Sequence, residues 1–169
     1  MLVLKRERSR RMPRRGSVRP KELKPDPIYK NRLVEKLINR AMRDGKKSVA
    51  QKEIYKAFDL IKEKGEDPIK VFSKAMENIK PSMEVRPRRV GGAAYQVPMA
   101  VRGPRKESLA IRWLIFATRA RSNSEFHTFA EKLTAEIMDA AEGIGGAVKK
   151  RQEMERVAEA NRAFAHFRW

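Results

Sequence analysis

Residues 83–102 read MEVRPRRVGGAAYQVPMAVR, and this stretch decides how the chain is organised. From Tyr95 to Val101 every second residue is large, which is the two-residue period of a β-strand. The preceding arm is compatible with a strand and is rich in arginine. Gly91 and Gly92 separate the two arms and can supply the positive φ angles of a tight turn. The stretch therefore predicts a two-stranded β-hairpin.

Each arm of this hairpin contains a proline, Pro87 in the first and Pro98 in the second. Proline cannot donate to a sheet ladder, so neither arm suits a central strand. A two-stranded ribbon is marginal alone and needs a supporting body. Two interpretations stay open at this point. The ribbon is either a structural flap that happens to be basic, or a probe that enters a nucleic-acid groove or touches a strand.

The composition indicates a polyanionic partner. The chain has 169 residues, and its 40 lysines and arginines against 21 acidic residues give a net charge of +19. DNA, RNA and anionic membranes all qualify on charge alone. The absence of cysteine excludes a disulfide framework and a cysteine-based metal site. No apolar run approaches the length of a membrane span, so we expect a soluble, intracellular protein with no membrane partner.

Residues 1–25 form a basic N-terminal extension. They contain 10 basic and 2 acidic residues, interrupted by three prolines. Such a segment buries too little apolar surface to order itself, so we expect it to be disordered in the free protein. It is either a solvated tail or an arm that folds onto nucleic-acid phosphates, and its charge favours the arm.

Residues 26–169 are predicted to form a single, mainly α domain. Apolar residues recur at helical spacing in six segments. These segments are 31–43, 46–64, 67–80, 108–120, 126–141 and 148–163. The prediction is a bundle of about six helices with the hairpin, residues 83–102, protruding between the third and the fourth. The fourth helix is apolar around most of its circumference, so its apolar residues, Phe116 among them, are expected in the core.

The first helix has an unusual polar side. Four basic residues fall in one narrow arc, and the arc contains no acidic residue: Arg32, Lys36, Arg40 and Arg43. A solvated helix face usually mixes signs, which makes this arc a candidate phosphate-binding ridge. The alternative is an ordinary solvated face.

No catalytic constellation is visible in the sequence. His127 and His166 lack metal-ligand spacing with each other or with a carboxylate cluster. The run from Gly45 to Ser48 faintly resembles a phosphate loop, but it lacks the first glycine of that motif, because position 40 is Arg40. We therefore expect no enzyme activity, no cofactor and no metal.

Several motifs, in order along the chain, resemble those of the bacterial-type small-subunit ribosomal protein seven family. They are MRDGKKS at 42–48, RRVGG at 88–92, YQVP at 95–98, RW at 112–113, DAAE at 139–142 and AVKKR at 147–151. The closing run AEANRAFAHFRW at 158–169 is the most specific of them. The resemblance covers roughly residues 20–169.

The resemblance implies a helical domain with an extended β-hairpin that is a structural constituent of the small ribosomal subunit. Members of the family bind the 3′ major domain of small-subunit ribosomal RNA and nucleate assembly of the subunit head. Through the hairpin they contact exit-site tRNA and the mRNA exit region, beside neighbouring small-subunit proteins. The implied location is a cytoplasmic ribosome, with an organellar ribosome left open.

Charge, position and the resemblance together predict one set of RNA-binding residues. They are Arg14, Arg15, Lys21, Arg32, Lys36, Arg43, Lys46, Lys47, Arg86, Arg88, Arg89, Tyr95, Gln96, Arg102, Arg105, Arg112, Arg119, Lys149, Lys150 and Arg151. The chain departs from the family pattern at Glu53, usually apolar, at Pro87, usually small and polar, and at Glu155, commonly histidine. Residues 1–15 extend beyond the usual start.

Two rival functions have the same charge. One is an architectural DNA-binding protein that inserts the ribbon in a minor groove. Such ribbons present an apolar or proline wedge, whereas the tip here is Gly91, Gly92 and Ala93. The other is an RNA-modifying enzyme, against which the missing catalytic constellation argues.

Overall fold

The computed structural model describes residues 23–167. This part of the chain folds as six α-helices, a two-stranded antiparallel sheet and a C-terminal 3₁₀ helix. In order these are α1 (Arg32–Ala41), α2 (Lys47–Glu63), α3 (Pro68–Ile79), β1 (Met83–Val90), β2 (Ala93–Ala100), α4 (Gly103–Ala120), α5 (Phe129–Ala141), α6 (Gly146–Ala160) and the 3₁₀ helix (Arg162–Phe167). The predicted mainly α fold, with a hairpin between the third and fourth helices, is confirmed.

Local sequence fixes where several helices begin. The Asn31 side chain accepts a hydrogen bond from the second backbone N–H of α1. Asp67 caps α3 in the same way and is followed by Pro68, whose fixed φ suits the first helical position. Thr128 and Glu131 form a reciprocal capping box at the start of α5.

Three helices have bounds that differ from the predicted ones. Helix α4 begins at Gly103, well before position 108, because Pro104 lies in its first turn, where proline needs no hydrogen-bond partner. Helix α5 begins at Phe129 instead of position 126, because the capping box at Thr128 fixes its start. Helix α6 begins at Gly146 and ends at Ala160, and residues Arg162–Phe167 form the 3₁₀ helix instead of its continuation.

Helix α4 lies at the centre of the molecule and packs against α1, α3, α5 and α6. The core includes the fully buried Phe58, Phe72, Leu114 and Ile137. The expectation that Phe116 belongs to this core is wrong, since the side chain is 60% exposed. It lies on a stripe of α4 that no other helix between residues 23 and 167 covers.

A buried ion pair joins the C-terminal end of α4 to α5 and α6. Arg121 donates to Glu136 at 2.8 Å and also pairs with Asp139. The other Glu136 oxygen accepts from the backbone N–H of Ala147 at 2.8 Å. Glu136 is only 1% exposed. Its carboxylate therefore fixes where α6 starts relative to α4.

The hairpin is anchored at its base and exposed at its tip. Its register runs from Met83 opposite Ala100 to Val90 opposite Ala93. The two glycines of the turn both have positive φ, 58° and 88°, as the sequence predicted. Near the base, Val97 is fully buried, and the strands pack on α6 and the 3₁₀ helix. The ribbon thus has a fixed orientation on the helical body.

Candidate RNA-binding surface

The basic arc of α1 faces solvent next to α4. Arg32 and Arg40 are exposed, and Arg43 is exposed just beyond the end of the helix. Lys36, in the middle of the arc, is only half-buried and pairs with Glu107 of α4. That pair joins the two helices, so Lys36 has less uncompensated charge to offer a ligand than its neighbours on the arc.

At the far end of the arc, three arginines lie close together. Arg119 of α4 donates to the backbone carbonyl of Ala41 at 3.0 Å, which holds the guanidinium beside the end of α1. Partial burial, and after it the charges of Arg43 and Arg40, lower the pKa of Arg119. No carboxylate in the described part of the chain forms an ion pair with these three arginines. A bound phosphate would relieve this repulsion.

The turn between α1 and α2 extends the same surface. Lys46 is the exposed N-cap residue of α2, and its side chain makes no capping bond. Lys47 pairs with the buried Glu35 of α1, which leaves its charge partly neutralised. Lys46 is therefore the more available cation of the two.

The uncovered stripe of α4 continues the surface along the length of the molecule. Arg105, Arg112 and Arg119 recur every seven residues, a spacing that places them on one helix face, and all three are exposed. Phe116 lies between the last two. Helices α1 and α4 also line a groove, and Leu23, Lys36 and Arg40 are among its residues. The N-terminal extension therefore joins the folded body beside this basic surface.

Three predicted residues, Arg14, Arg15 and Lys21, lie outside the described residues. The prediction that residues 1–25 are disordered also concerns residues outside the described range, apart from residues 23–25. Those three residues are exposed and form no helix or strand.

The base of the hairpin carries a three-residue charge cluster. Glu84, 4% exposed, accepts hydrogen bonds from Arg86 at 2.5 Å and from Arg105 at 2.7 and 2.8 Å. This cluster ties β1 to the start of α4, where Arg102 is an exposed N-cap residue. Part of the charge that the sequence assigns to RNA binding is thus used to orient the hairpin.

The outer half of the hairpin presents Arg89 and Gln96 to solvent, while Arg88 is half-buried. Tyr95 is turned toward the C-terminal 3₁₀ helix. Its ring lies 5.4 Å from that of Phe164 and 5.1 Å from that of Phe167. This aromatic cluster supports the ribbon from one side, a contact that the sequence pattern did not indicate.

Of the three predicted residues at the start of α6, two are exposed and one is half-buried. Lys149 and Lys150 are exposed and line a groove that also contains Phe116, so they continue the α4 stripe. Lys150 pairs with Glu153 at 2.7 Å. Arg151 is half-buried, 3.8 Å from Glu155.

Glu155 is a structural link between α6 and the hairpin. It accepts hydrogen bonds from the backbone N–H and the hydroxyl of Ser82, at 3.0 and 2.8 Å. Arg151 therefore belongs to the support of the ribbon as much as to the basic surface.

Within residues 23–167, no three His, Asp or Glu side chains are grouped so that they could hold a metal ion. No helix in the same part of the chain combines the length and the apolar character that crossing a membrane requires.

Known proteins match this chain over most of its length. A family model described as ribosomal protein S7p/S5e matches residues 13–162. The small ribosomal subunit protein uS7 of Thermodesulfovibrio yellowstonii is 59% identical over 159 residues, which is 94% of this chain and 100% of that relative. The uS7 protein of Carboxydothermus hydrogenoformans is 58% identical with the same coverage of both chains. The chain therefore belongs to the ribosomal protein S7p/S5e family, a family of structural ribosomal proteins and not of enzymes.

Proposed function

We propose that this protein is a structural constituent of the small subunit of a cytoplasmic ribosome and binds the 3′ major domain of small-subunit ribosomal RNA. Its relatives are named as small ribosomal subunit proteins. The observation that carries the proposal is the continuous basic surface of α1, the α1–α2 turn and α4. Arg32, Arg43, Lys46 and Arg112 are exposed there, and none has a carboxylate partner within residues 23–167.

Phosphate neutralisation supplies most of the binding free energy in this proposal. Each phosphate that a lysine or arginine neutralises releases condensed counterions, so the affinity falls steeply with salt. The cations are carried by packed helices, so their spacing is fixed before binding. A fixed spacing favours one folded RNA shape over others, which is how double-stranded and structured RNA is recognised.

The hairpin has a different part in the proposal. It contacts exit-site tRNA and the mRNA exit region, while the helical surface binds the RNA that nucleates the subunit head. The anchored base and the exposed tip at Gly91 and Gly92 support this division. A small tip offers little apolar area for binding energy but can approach a nucleic-acid backbone closely. In this proposal, neighbouring small-subunit proteins contact the other exposed faces of the domain.

A competition experiment tests the proposal. The full chain is bound to a labelled 3′ major domain RNA, and unlabelled RNA or duplex DNA of equal length is added at fixed salt. We expect the RNA to compete at least about 1,000-fold better than the DNA, which is the low end of the range for specific over non-specific binding. Equal competition would favour the architectural DNA-binding alternative.

A further inference from the structure

A cavity opens in the basic surface where the ends of several helices meet. It has a volume of about 300 Å³ and lies between the end of α1, the start of α2, the end of α4 and the start of α5. Val49, Ala50 and Phe129 supply apolar walls, and Val49 is 56% exposed. A cavity of about 150 Å³ accommodates benzene, so this one has room for a single nucleobase.

The rim of this cavity is cationic. Arg43, Lys46 and Arg119 all line it. The hydrogen bond from Arg119 to Ala41 fixes one guanidinium at the edge, and the burial and crowding described above disfavour its charge unless an anion is bound. A planar guanidinium in a fixed place is suited to bind a phosphate through two parallel hydrogen bonds.

One acidic side chain, Glu53, also lines the cavity. Its ion-pair partner is Lys56, 3.6 Å away on the next turn of α2, and the lysine side chain is 68% exposed. Because the lysine is so exposed and the pair is 3.6 Å long, it contributes little to stability and is easily exchanged. An ionised carboxylate only accepts hydrogen bonds, so Glu53 would discriminate among ligands by the donors they carry.

We propose that this cavity receives one unpaired base of the bound RNA, and that Glu53 selects a base with hydrogen-bond donors, guanine foremost. The aromatic base fills the apolar space, and its phosphate pairs with Arg43 and Arg119. Guanine directs two neighbouring N–H donors toward a carboxylate, whereas uracil offers one N–H flanked by two carbonyl oxygens. Recognition through the pairing edge of a splayed-out base is a common mode in RNA-binding proteins. The inference rests on the proposed function, because it takes RNA to be the ligand.

Charge complementarity favours a nucleotide over a protein side chain as the occupant. An apolar side chain from another protein would contact the walls but would bring no anion to the three cations at the rim and no donor to Glu53. A nucleotide supplies an aromatic ring, an anion and N–H donors at once, and so it meets each feature of the cavity.

Titration of the full chain with mononucleotides tests the inference. The probes are GMP, UMP and inorganic phosphate, and the observed signals are the methyl resonances of Val49 and Ala50. We expect GMP to shift both and to bind about 10-fold tighter than UMP, as one bidentate contact predicts. Phosphate alone should leave the methyl signals in place. Equal binding of GMP and UMP would overturn the inference.

A matched pair of variants separates selectivity from charge. Glu53→Gln should lower the GMP preference to about twofold or less, because one of the two acceptor oxygens becomes an NH2 donor and can no longer accept from the second of two parallel N–H groups. Glu63→Gln changes the net charge equally at an exposed position near the end of α2 and should leave the preference unchanged. An unchanged preference in Glu53→Gln would contradict the role given to that carboxylate.

Crosslinking identifies the occupant in the assembled particle. A diazirine-bearing amino acid in place of Val49 is irradiated in reconstituted small subunits. A crosslink to RNA supports the inference, and a crosslink to protein overturns it. Before assembly, the purified variant protein is tested for its preference for ribosomal RNA over DNA. If that preference holds while the GMP preference is absent, only the inference fails; if it is itself absent, the proposed function fails.

Discussion

Replacing Arg32, Lys46 and Arg112 together with alanine should flatten the salt dependence of ribosomal RNA binding. The three residues come from α1, the start of α2 and α4. Their side chains are exposed, and none pairs with a carboxylate between residues 23 and 167. Lys36 is left in place, because its pair with Glu107 already neutralises part of its charge.

The size of the effect follows from counterion release. Each lost phosphate contact reduces the slope of log K against log salt concentration by about 0.7 to 0.9, so three contacts remove about 2 to 3 units. Between 50 and 200 mM salt, the wild-type affinity should therefore fall about 20- to 40-fold more than that of the variant. The helical fold should be unaffected, because exposed side chains away from the core contribute little to stability.

The assay is filter binding of labelled 3′ major domain RNA at four or more salt concentrations, with circular dichroism as a check on folding. The control replaces Lys62, Lys70 and Lys74 with alanine. These residues are exposed on α2 and α3, away from the proposed surface, and the change in net charge is the same. Equal slopes for the two triple variants would refute the reasoning, since the affinity would then depend on total charge and not on this surface.

Three further outcomes are expected. Arg121→Ala should lower the free energy of unfolding in urea by about 3 kcal/mol because it leaves Glu136 buried without its partner, and adding Glu136→Gln should recover part of that loss. A hydrogen bond from the backbone N–H of Thr128 lowers the pKa of the Glu131 carboxyl below its unfolded value of 4.5. The contribution of this contact to the free energy of unfolding is therefore complete above pH 4.5 and is lost as the pH falls through the lower folded value. The decline in Tm on acidification from about pH 5 to pH 3 should accordingly be shallower in Glu131→Gln, and an identical decline would contradict this. Replacing residues 89–94 with a short Gly-Ser turn should leave Tm and most RNA affinity in place but reduce exit-site tRNA occupancy in rebuilt subunits, whereas an affinity loss beyond about 100-fold would make the ribbon an anchor instead.

The periodicity of the sequence was sufficient to predict the hairpin and the number and order of the α-helices, because these features follow from the local pattern of apolar residues. Alternation ended by a glycine pair determines a two-residue turn, and the structure has both glycines at positive φ. The boundaries were harder to predict. The fourth helix was predicted to start at position 108, yet Pro104 lies in the first turn of α4, since proline is excluded from helix interiors but suits helix starts.

The candidate surface was predictable only in part. The one-sided arc of α1 is a property of the sequence and lies at the surface of the protein. What the arc did not indicate is which charges are already paired. Lys36, Lys47 and Arg105 pair with acidic residues of another element, and such partners are known only once the elements are packed.

By itself the sequence determined the mainly α fold, the placement of the ribbon, the strongly basic character of the protein and its family, since each follows from local periodicity, composition or motif order. Tertiary structure decided which cations are left for a ligand, how Tyr95 and Glu155 hold the ribbon, and that Glu53 shares a cavity with Arg43 and Arg119. These features join residues from separate elements, and their distances depend on how α1, α2, α4 and α5 pack. No local pattern contains that information, because packing is the sum of contacts along the whole chain.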